Sequence, residues 1–376
     1  MIKPEEFFDA LKECGICNFS GVPDSLLKDL CAFISDNTLA SEHLITSNEG
    51  SAISLAVGQY IATGKPSLVY MQNSGFGNAL NPLLSLADSK VYSVPMLLVV
   101  GWRGEPGVKD EPQHLKQGEI MKPLLDVCGI PTITIDAKID NISQVVKSAI
   151  ALTKTKKKPV ALLVRKGTFA PYKLKNSSPN ISNISRESAI EMVVNTSEQN
   201  DIFVSTTGMA SRELYEIRIK NNQAHNNDFL TVGSMGHANM IALGIVQNTK
   251  NHVFCIDGDG ASLMHLGNLA STGQSECKNL IHILLNNAAH DSVGGQPTFA
   301  NKVDMPLIAK ACGYKSSNST YDLNELKQLI VNLRVSDGPH LIEVKISKGA
   351  RIDLGRPASS PVQNKEALMR FLEDIK

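Results

Sequence analysis

The chain has 376 residues, 42% of them hydrophobic and 20% charged, and its 37 Lys and Arg balance 37 Asp and Glu. That length and balance suit a globular protein with two domains, each able to bury its own core. Zero net charge, with no basic stripe and no block of like charge, points away from nucleic acid and membrane-surface partners. The densest basic run, "KTKKKP" at 154–159, reads as a helix end leading into a strand. No apolar run approaches the roughly 18 residues of a membrane span. The opening "MIKPEEFFDALKECG" reads as an acidic amphipathic helix started by proline rather than as a targeting segment, so a cytoplasmic location is expected. Seven scattered cysteines, some inside apolar segments (Cys255, Cys312), fit reduced thiols. Cys14 and Cys17 have CxxC spacing, but they close a helix and enter a strand, the reverse of a redox pair.

In chain order, strands are predicted at "NFSGV", "LITS", "SLVYMQ", "MLLVVG", "TITID" and "VALLVRKG", with helical patterns such as "EGSAISLAVGQYIATG" and "NALNPLLSLADS" between them. After Gly167 the periodicity fails. "TFAPYKLKNSSPNISNIS" is rich in Pro, Asn and Ser and predicts a linker over 168–183. The pattern restarts with the helix "RESAIEMVVNT" and the strands "DIFVSTTG", "FLTVGS", "HVFCIDGDG", "LIHILLNN" and "HLIEVKIS". The expected class is α/β, with two doubly wound parallel-sheet domains at 1–167 and 184–376. In such sheets ligands sit at the carboxyl ends of strands, where the Gly, Asn, Asp and Ser clusters of both halves fall.

Two of those clusters bear on chemistry. "FCIDGDG" puts Asp259 just past one apolar strand, and "LIHILLNNAAH" puts Asn286 just past another, 27 residues on. A carboxylate, an amide oxygen and a nearby backbone carbonyl make a partial shell for Mg²⁺, completed by water and ligand phosphate. Gly258 and Gly260 let the backbone approach a phosphate, and the helix that follows turns its positive end to the same place. Either motif alone is a common loop or turn. Their conjunction resembles the cofactor signature of the thiamine diphosphate decarboxylase and synthase superfamily. The resemblance implies Mg²⁺ held by Asp259, Asn286 and the Ala288 carbonyl, with Asp257 as a neighbour and Gly258, Gly260 and Ala261 against the diphosphate. It implies further cofactor contacts from Thr207 and Gly208 in "STTGMASREL" and from Ser234 and Met235 in "VGSMGHANMIALG". Met235 takes the place of the apolar wedge that bends the cofactor, although a core methionine would look the same locally. Glu49, at the start of "EGSAISLAVGQYIA", matches the glutamate that hydrogen-bonds the aminopyrimidine ring; by itself it reads as a helix-start acid stabilised by the dipole.

With so short a linker there is no room for a central third domain. "SGVPDSLLK", "QNSGFGN", "GWRGEPGVKDEPQH", "VGSMGHA" and "DLGRP" are similar, over essentially the whole chain, to the phosphonopyruvate decarboxylases, with sulfopyruvate decarboxylases as close relatives. The latter commonly split the two domains between chains, which favours the former. The resemblance implies thiamine diphosphate- and Mg²⁺-dependent conversion of 3-phosphonopyruvate to phosphonoacetaldehyde and CO₂. It implies also a pyrimidine-binding first domain, a diphosphate-binding second domain, and a homodimer or homotetramer with sites shared between subunits. Asp24 and His114 would move protons and hold the carboxylate end, though Asp24 also reads as a cap of "SLLKDLCAFI". A near-dianionic phosphonate calls for cations. Arg351 in "ISKGARIDLGRP" is the first candidate, beside Lys348 and Ser25, with Arg356, Arg103 and Lys109 in reserve. Two readings from other classes stay open: a metal-dependent phosphatase or nucleotide enzyme, disfavoured by the lack of a Walker lysine motif or GxGxxG after the first strand, and a catalytically silent module, which Glu49 argues against.

Overall fold

A computed structural model describes residues 1–176 and 179–375. The described residues fall into two compact units, one of 1–176 with 292–296 and one of 179–291 with 297–375. Residues 177 and 178 of the expected linker and Lys376 of the expected second domain lie outside the described residues.

The first unit carries strands β1 (Phe19–Gly21), β2 (His43–Ile45), β3 (Leu68–Gln72), β4 (Leu97–Gly101), β5 (Thr132–Ile135) and β6 (Val160–Val164). They form one parallel sheet in the order β2-β1-β3-β4-β6-β5. The unbroken apolar runs follow from burial on both faces, as a parallel sheet covered by helices requires. Leu68, Tyr70, Leu97 and Val99 pack into one cluster, and Val69, Met71, Leu98 and Val100 into the cluster on the opposite face. Such a strand is worth about 1.5–3 kcal/mol for each large side chain it buries.

The second unit repeats the plan. Strands β7 (Ile202–Ser205), β8 (Asp228–Leu230), β9 (Val253–Gly258), β10 (Leu280–Asn286), β11 (Ser316–Thr320) and β12 (His340–Lys345) are parallel, in the order β11-β12-β10-β9-β7-β8. Read from the other edge, this is the order of the first sheet. In each half the chain steps one way from its first strand and then crosses to the other side, so the topological switch points lie between β1 and β3 and between β7 and β9. Ligand crevices form at the carboxyl ends there.

Three local expectations change. The polar strand β11, "SSNST", has no apolar alternation to announce it; its place at the sheet edge, paired with β12 alone, makes it a strand. "FLTVGS" is a strand only through Leu230, beyond which the chain enters a loop with Ser234 at φ 54°. Residues 168–176 of the linker are laid against the first unit: Phe169 is buried edge-on to Phe7, and Asp36 accepts from the backbone N–H groups of Lys175 and Asn176.

Candidate active site

The switch point of the second sheet brings the end of β7 beside the end of β9, and the residues expected to hold a diphosphate lie there. Thr207 is half-buried, and Gly208 at φ 95° turns the chain into the helix Met209–Lys220. Gly258 is required neither by its backbone, at φ −107°, nor by crowding, since an added Cβ would meet only Thr206 Cγ2 at 4.0 Å. Glycine leaves open space there, as a phosphate cradle needs. Gly236, at φ 89°, seats the Met235 loop against the helix Asp259–Met264: a Cβ would stand 2.7 Å from Ala261 O and 2.6 Å from His265 Cδ2. Ser234 is exposed and Met235 half-buried on that loop.

Asp259 is the first residue of the helix Asp259–Met264 and is only 4% exposed. Burial pushes its carboxyl up to about 7, against hydrogen bonds from Thr298 and from backbone N–H groups that act to lower it. Thr298 Oγ1 donates to Asp259 Oδ2 at 2.5 Å, and Thr298 N donates to Ala288 O at 3.0 Å. Ala288 N in turn donates to Asn286 Oδ1 at 3.0 Å, with Ala288 held at φ 55°. The three expected metal ligands are therefore gathered in one buried corner through Thr298. Among the described residues no group of three or more His, Cys, Asp or Glu could hold a metal ion. What the corner offers is one carboxylate, one amide oxygen and one carbonyl, an oxygen set suited to a hard cation that keeps water and phosphate ligands. The residues fit Mg²⁺ and a diphosphate.

In the first unit, Glu49 opens the helix Glu49–Thr63, capped by Asn48, whose side chain accepts from Gly50 N at 2.8 Å. A helix-start acid kept for its dipole would face water, but Glu49 is 4% exposed. Burial raises its pKa, opposed by the hydrogen bond that Asn78 Nδ2 donates to Oε2 at 2.8 Å. The "QNSGFGN" segment crosses this carboxyl so closely that a Cβ on Gly75 would lie 2.0 Å from Oε1.

Asp24 follows β1 at the other switch point and is fully buried. Gln72 Nε2, at the end of β3, donates to Oδ1 at 2.6 Å, and Leu26 N donates to Oδ2 at 3.1 Å. Burial nonetheless raises its pKa above the usual carboxylate value. A Cβ on Gly101, at the end of β4, would fall 2.0 Å from Oδ2. Arg103 Nη1 donates to Ser25 Oγ at 2.8 Å, while the same guanidinium grips both oxygens of Asp110. His114 is the third residue of the helix Pro112–Val127, a helix started by a proline. Its Nδ1 is buried without a hydrogen-bond partner, and burial, with the charge of Arg103, lowers its pKa, which keeps the ring neutral.

Arg351 belongs to the second unit, where its guanidinium meets the carboxylates of Glu187, Glu216 and Asp353. Lys348 N donates to Asn180 Oδ1 at 3.2 Å, and Lys109 is exposed on its loop. Asn78, Gln72, Asp110, Thr298 and Glu343 are site neighbours that sequence reasoning missed. Only Glu343 carried a signal, an acid between the apolar Ile342 and Val344 in the strand "HLIEVK".

Residues 4–125 match the thiamine pyrophosphate enzyme N-terminal TPP binding domain, and residues 205–344 match the C-terminal TPP binding domain of the same enzymes. The chain is 33% identical over 379 residues to a phosphonopyruvate decarboxylase of Streptomyces viridochromogenes, covering 96% of this chain and 93% of the relative. It is 33% identical over 392 residues to that of Streptomyces hygroscopicus, covering 99% and 94%. A sulfopyruvate decarboxylase of Methanosarcina acetivorans is 24% identical over 411 residues, covering 100% and 98%. Since this last relative also spans both halves in one chain, chain count does not separate the two activities.

Proposed function

The chain belongs to the thiamine pyrophosphate enzymes, in the family of the phosphonopyruvate decarboxylases, and on that premise we propose that it converts 3-phosphonopyruvate and a proton to phosphonoacetaldehyde and CO₂. The observation that carries the reading is the buried corner in which Asp259, Asn286 and Ala288 are joined through Thr298. These three would hold Mg²⁺, with Thr207, Gly208, Ser234, Gly258, Gly260 and Ala261 against the diphosphate and Met235 in apolar contact with the cofactor. Thiamine diphosphate supplies the electron sink that a 2-oxo acid lacks when it sheds its carboxylate.

The chain's own residues handle protons and charge. Glu49, whose burial favours the protonated carboxyl, can share its proton with a ring nitrogen. Asp24, likewise held towards the protonated form and aimed by Gln72, is suited to deliver a proton to the carbon that loses CO₂. Neutral His114 can accept or donate at the carboxylate end. For the phosphonate, Arg351 and Lys348 compete with Ser25 and Arg103. Arg351 is bound directly by three carboxylates, whereas Arg103 is bound by Asp110 and also holds Ser25, next to Asp24 in the chain, although Asp24 and Glu111 add negative charge around it; its contact with Ser25 favours Arg103.

The reading includes a pyrimidine-binding domain at 1–167, a linker at 168–183 and a diphosphate-binding domain at 184–376. It places the enzyme in the cytoplasm as a homodimer or homotetramer whose sites are shared between subunits. CO₂ release from phosphonopyruvate, sulfopyruvate and pyruvate, measured side by side with and without thiamine diphosphate and Mg²⁺, tests it. Preference for either rival substrate removes the substrate assignment, and turnover without cofactor removes the mechanism.

A further inference from the structure

Glu343 lies in the middle of β12 and is buried, with apolar neighbours on both sides in sequence. An unpaired carboxylate there would be strongly disfavoured. Its partners explain its presence. Lys345 Nζ donates to Oε1 at 2.6 Å, Ser319 Oγ on β11 donates to Oε2 at 2.8 Å, and Asn286 Nδ2 on β10 donates to Oε1 at 2.7 Å. The register makes these contacts possible: Ser319 is directly opposite Glu343, and Asn286 is opposite Lys345, two residues along. Lys345 and Ser319 already supply charge and a donor, so the bond to Asn286 acts mainly on Asn286.

An amide has two ends of nearly the same shape and opposite polarity, and only the oxygen can face a cation. At Asn286 the NH₂ end meets two acceptors, Glu343 Oε1 at 2.7 Å and Ala300 O at 3.2 Å. The oxygen end meets a donor, Ala288 N at 3.0 Å. A flipped amide would press its oxygen against a carboxylate and a carbonyl with no hydrogen between them. We propose that Glu343 is a positioning residue that locks the Asn286 amide with its oxygen turned to a divalent cation held with Asp259 and Ala288. The proposal rests on the metal reading of that corner.

The test uses Mn²⁺ as the probe. Its binding to the full chain with thiamine diphosphate is followed by the electron spin resonance of free Mn²⁺, so that the measurement does not depend on turnover. Glu343→Gln offers Asn286 a neutral group that can donate as well as accept, so the lock loses its charged acceptor and rests on Ala300 O and Ala288 N. Mn²⁺ affinity should fall about 10- to 100-fold, the range for lost outer-shell partners, with kcat recovering at saturating metal. Ser319→Ala removes a different bond of the same carboxylate and should change affinity less than about threefold, within the scatter of a contact that leaves the ligand amide in place. Asn286→Asp sets two carboxylates against each other and should weaken binding. The double variant Asn286→Asp/Glu343→Gln restores a donor facing an acceptor and should bind at least about tenfold more tightly than Asn286→Asp alone.

Wild-type affinity in Glu343→Gln, or a double variant no better than Asn286→Asp, overturns the positioning role. Should Glu343→Gln not fold, the comparison of Asn286→Asp with the double variant decides alone. If the wild-type chain itself takes up no Mn²⁺, the metal reading of the corner fails, and this proposal with it.

Discussion

Gly75→Ala is a sharp test of whether the Glu49 carboxyl does chemistry. Gly75 has φ −75° and ψ −11°, which alanine adopts freely, so the backbone raises no objection. The new methyl is the whole perturbation. It would lie 2.0 Å from Glu49 Oε1 and 2.4 Å from Cδ, about 1.4 Å short of ordinary contact, and so the carboxyl must move by more than 1 Å. Overpacking of this kind costs about 1–3 kcal/mol of stability, which leaves a folded protein. A displacement of about 1 Å at a reacting group costs on the order of 10²-fold in rate. The expected outcome is a kcat reduced about 100-fold, with thiamine diphosphate still bound. Exchange of the cofactor's C2 proton, read by NMR, should slow in parallel, towards the limit set by Glu49→Gln. Gly77→Ala is the control in the same segment, because its Cβ meets nothing within 4 Å. If Gly75→Ala turns over and exchanges at wild-type rates, Glu49 is not the activating acid.

Asp259→Ala should abolish cofactor-dependent turnover and leave the circular dichroism of the fold intact, since only a site carboxylate is lost; activity that persists in a chelator would contradict the metal reading. Glu49 and Asp259 belong to different units, so mixing inactive Glu49→Gln chains with inactive Asp259→Ala chains should return part of the activity if sites are shared between subunits. Demonstrated subunit exchange without recovery would rule sharing out. Arg103→Ala should depress turnover of phosphonopyruvate at least about tenfold more than that of pyruvate, whose methyl needs no cation, while Arg351→Ala should affect the two alike. The reverse result would move the phosphonate to the second unit. For pH, burial lowers His43 from 6.5 to about 4, so its neutral form stabilises the fold above pH 6.5, and that contribution is lost as pH falls towards 4. At about 1.4 kcal/mol for each pKa unit, the loss is on the order of 3 kcal/mol. Urea midpoints measured across that window should fall less steeply for His43→Asn, and an unchanged slope would exclude this histidine as a contributor.

The sequence alone determined the elements whose burial is written into their composition. β3, β4, β6, β9 and β10 are covered on both faces and so appear as continuous apolar runs, and the clusters just past them mark the strand ends where ligands bind. Asp259, Asn286 and Glu49 were legible for the same reason, because each stands where an apolar or helical pattern begins or stops. β11 was not, since an edge strand of Ser, Asn and Thr owes its conformation to the backbone of β12 rather than to its own side chains.

Only the tertiary structure decided which side chains meet. Thr298 reaches Asp259 across 39 residues of chain, and Glu343 reaches Asn286 across 57, because β12 lies beside β10 in the sheet order. Arg351 looked available as a charge in a polar loop, yet Glu187 and Glu216, more than 130 residues away in sequence, converge on it. Local periodicity reports whether a residue is buried, because burial repeats with the geometry of its own strand or helix. The partner of a buried polar group depends on strand order and register, which arise when separate elements pack.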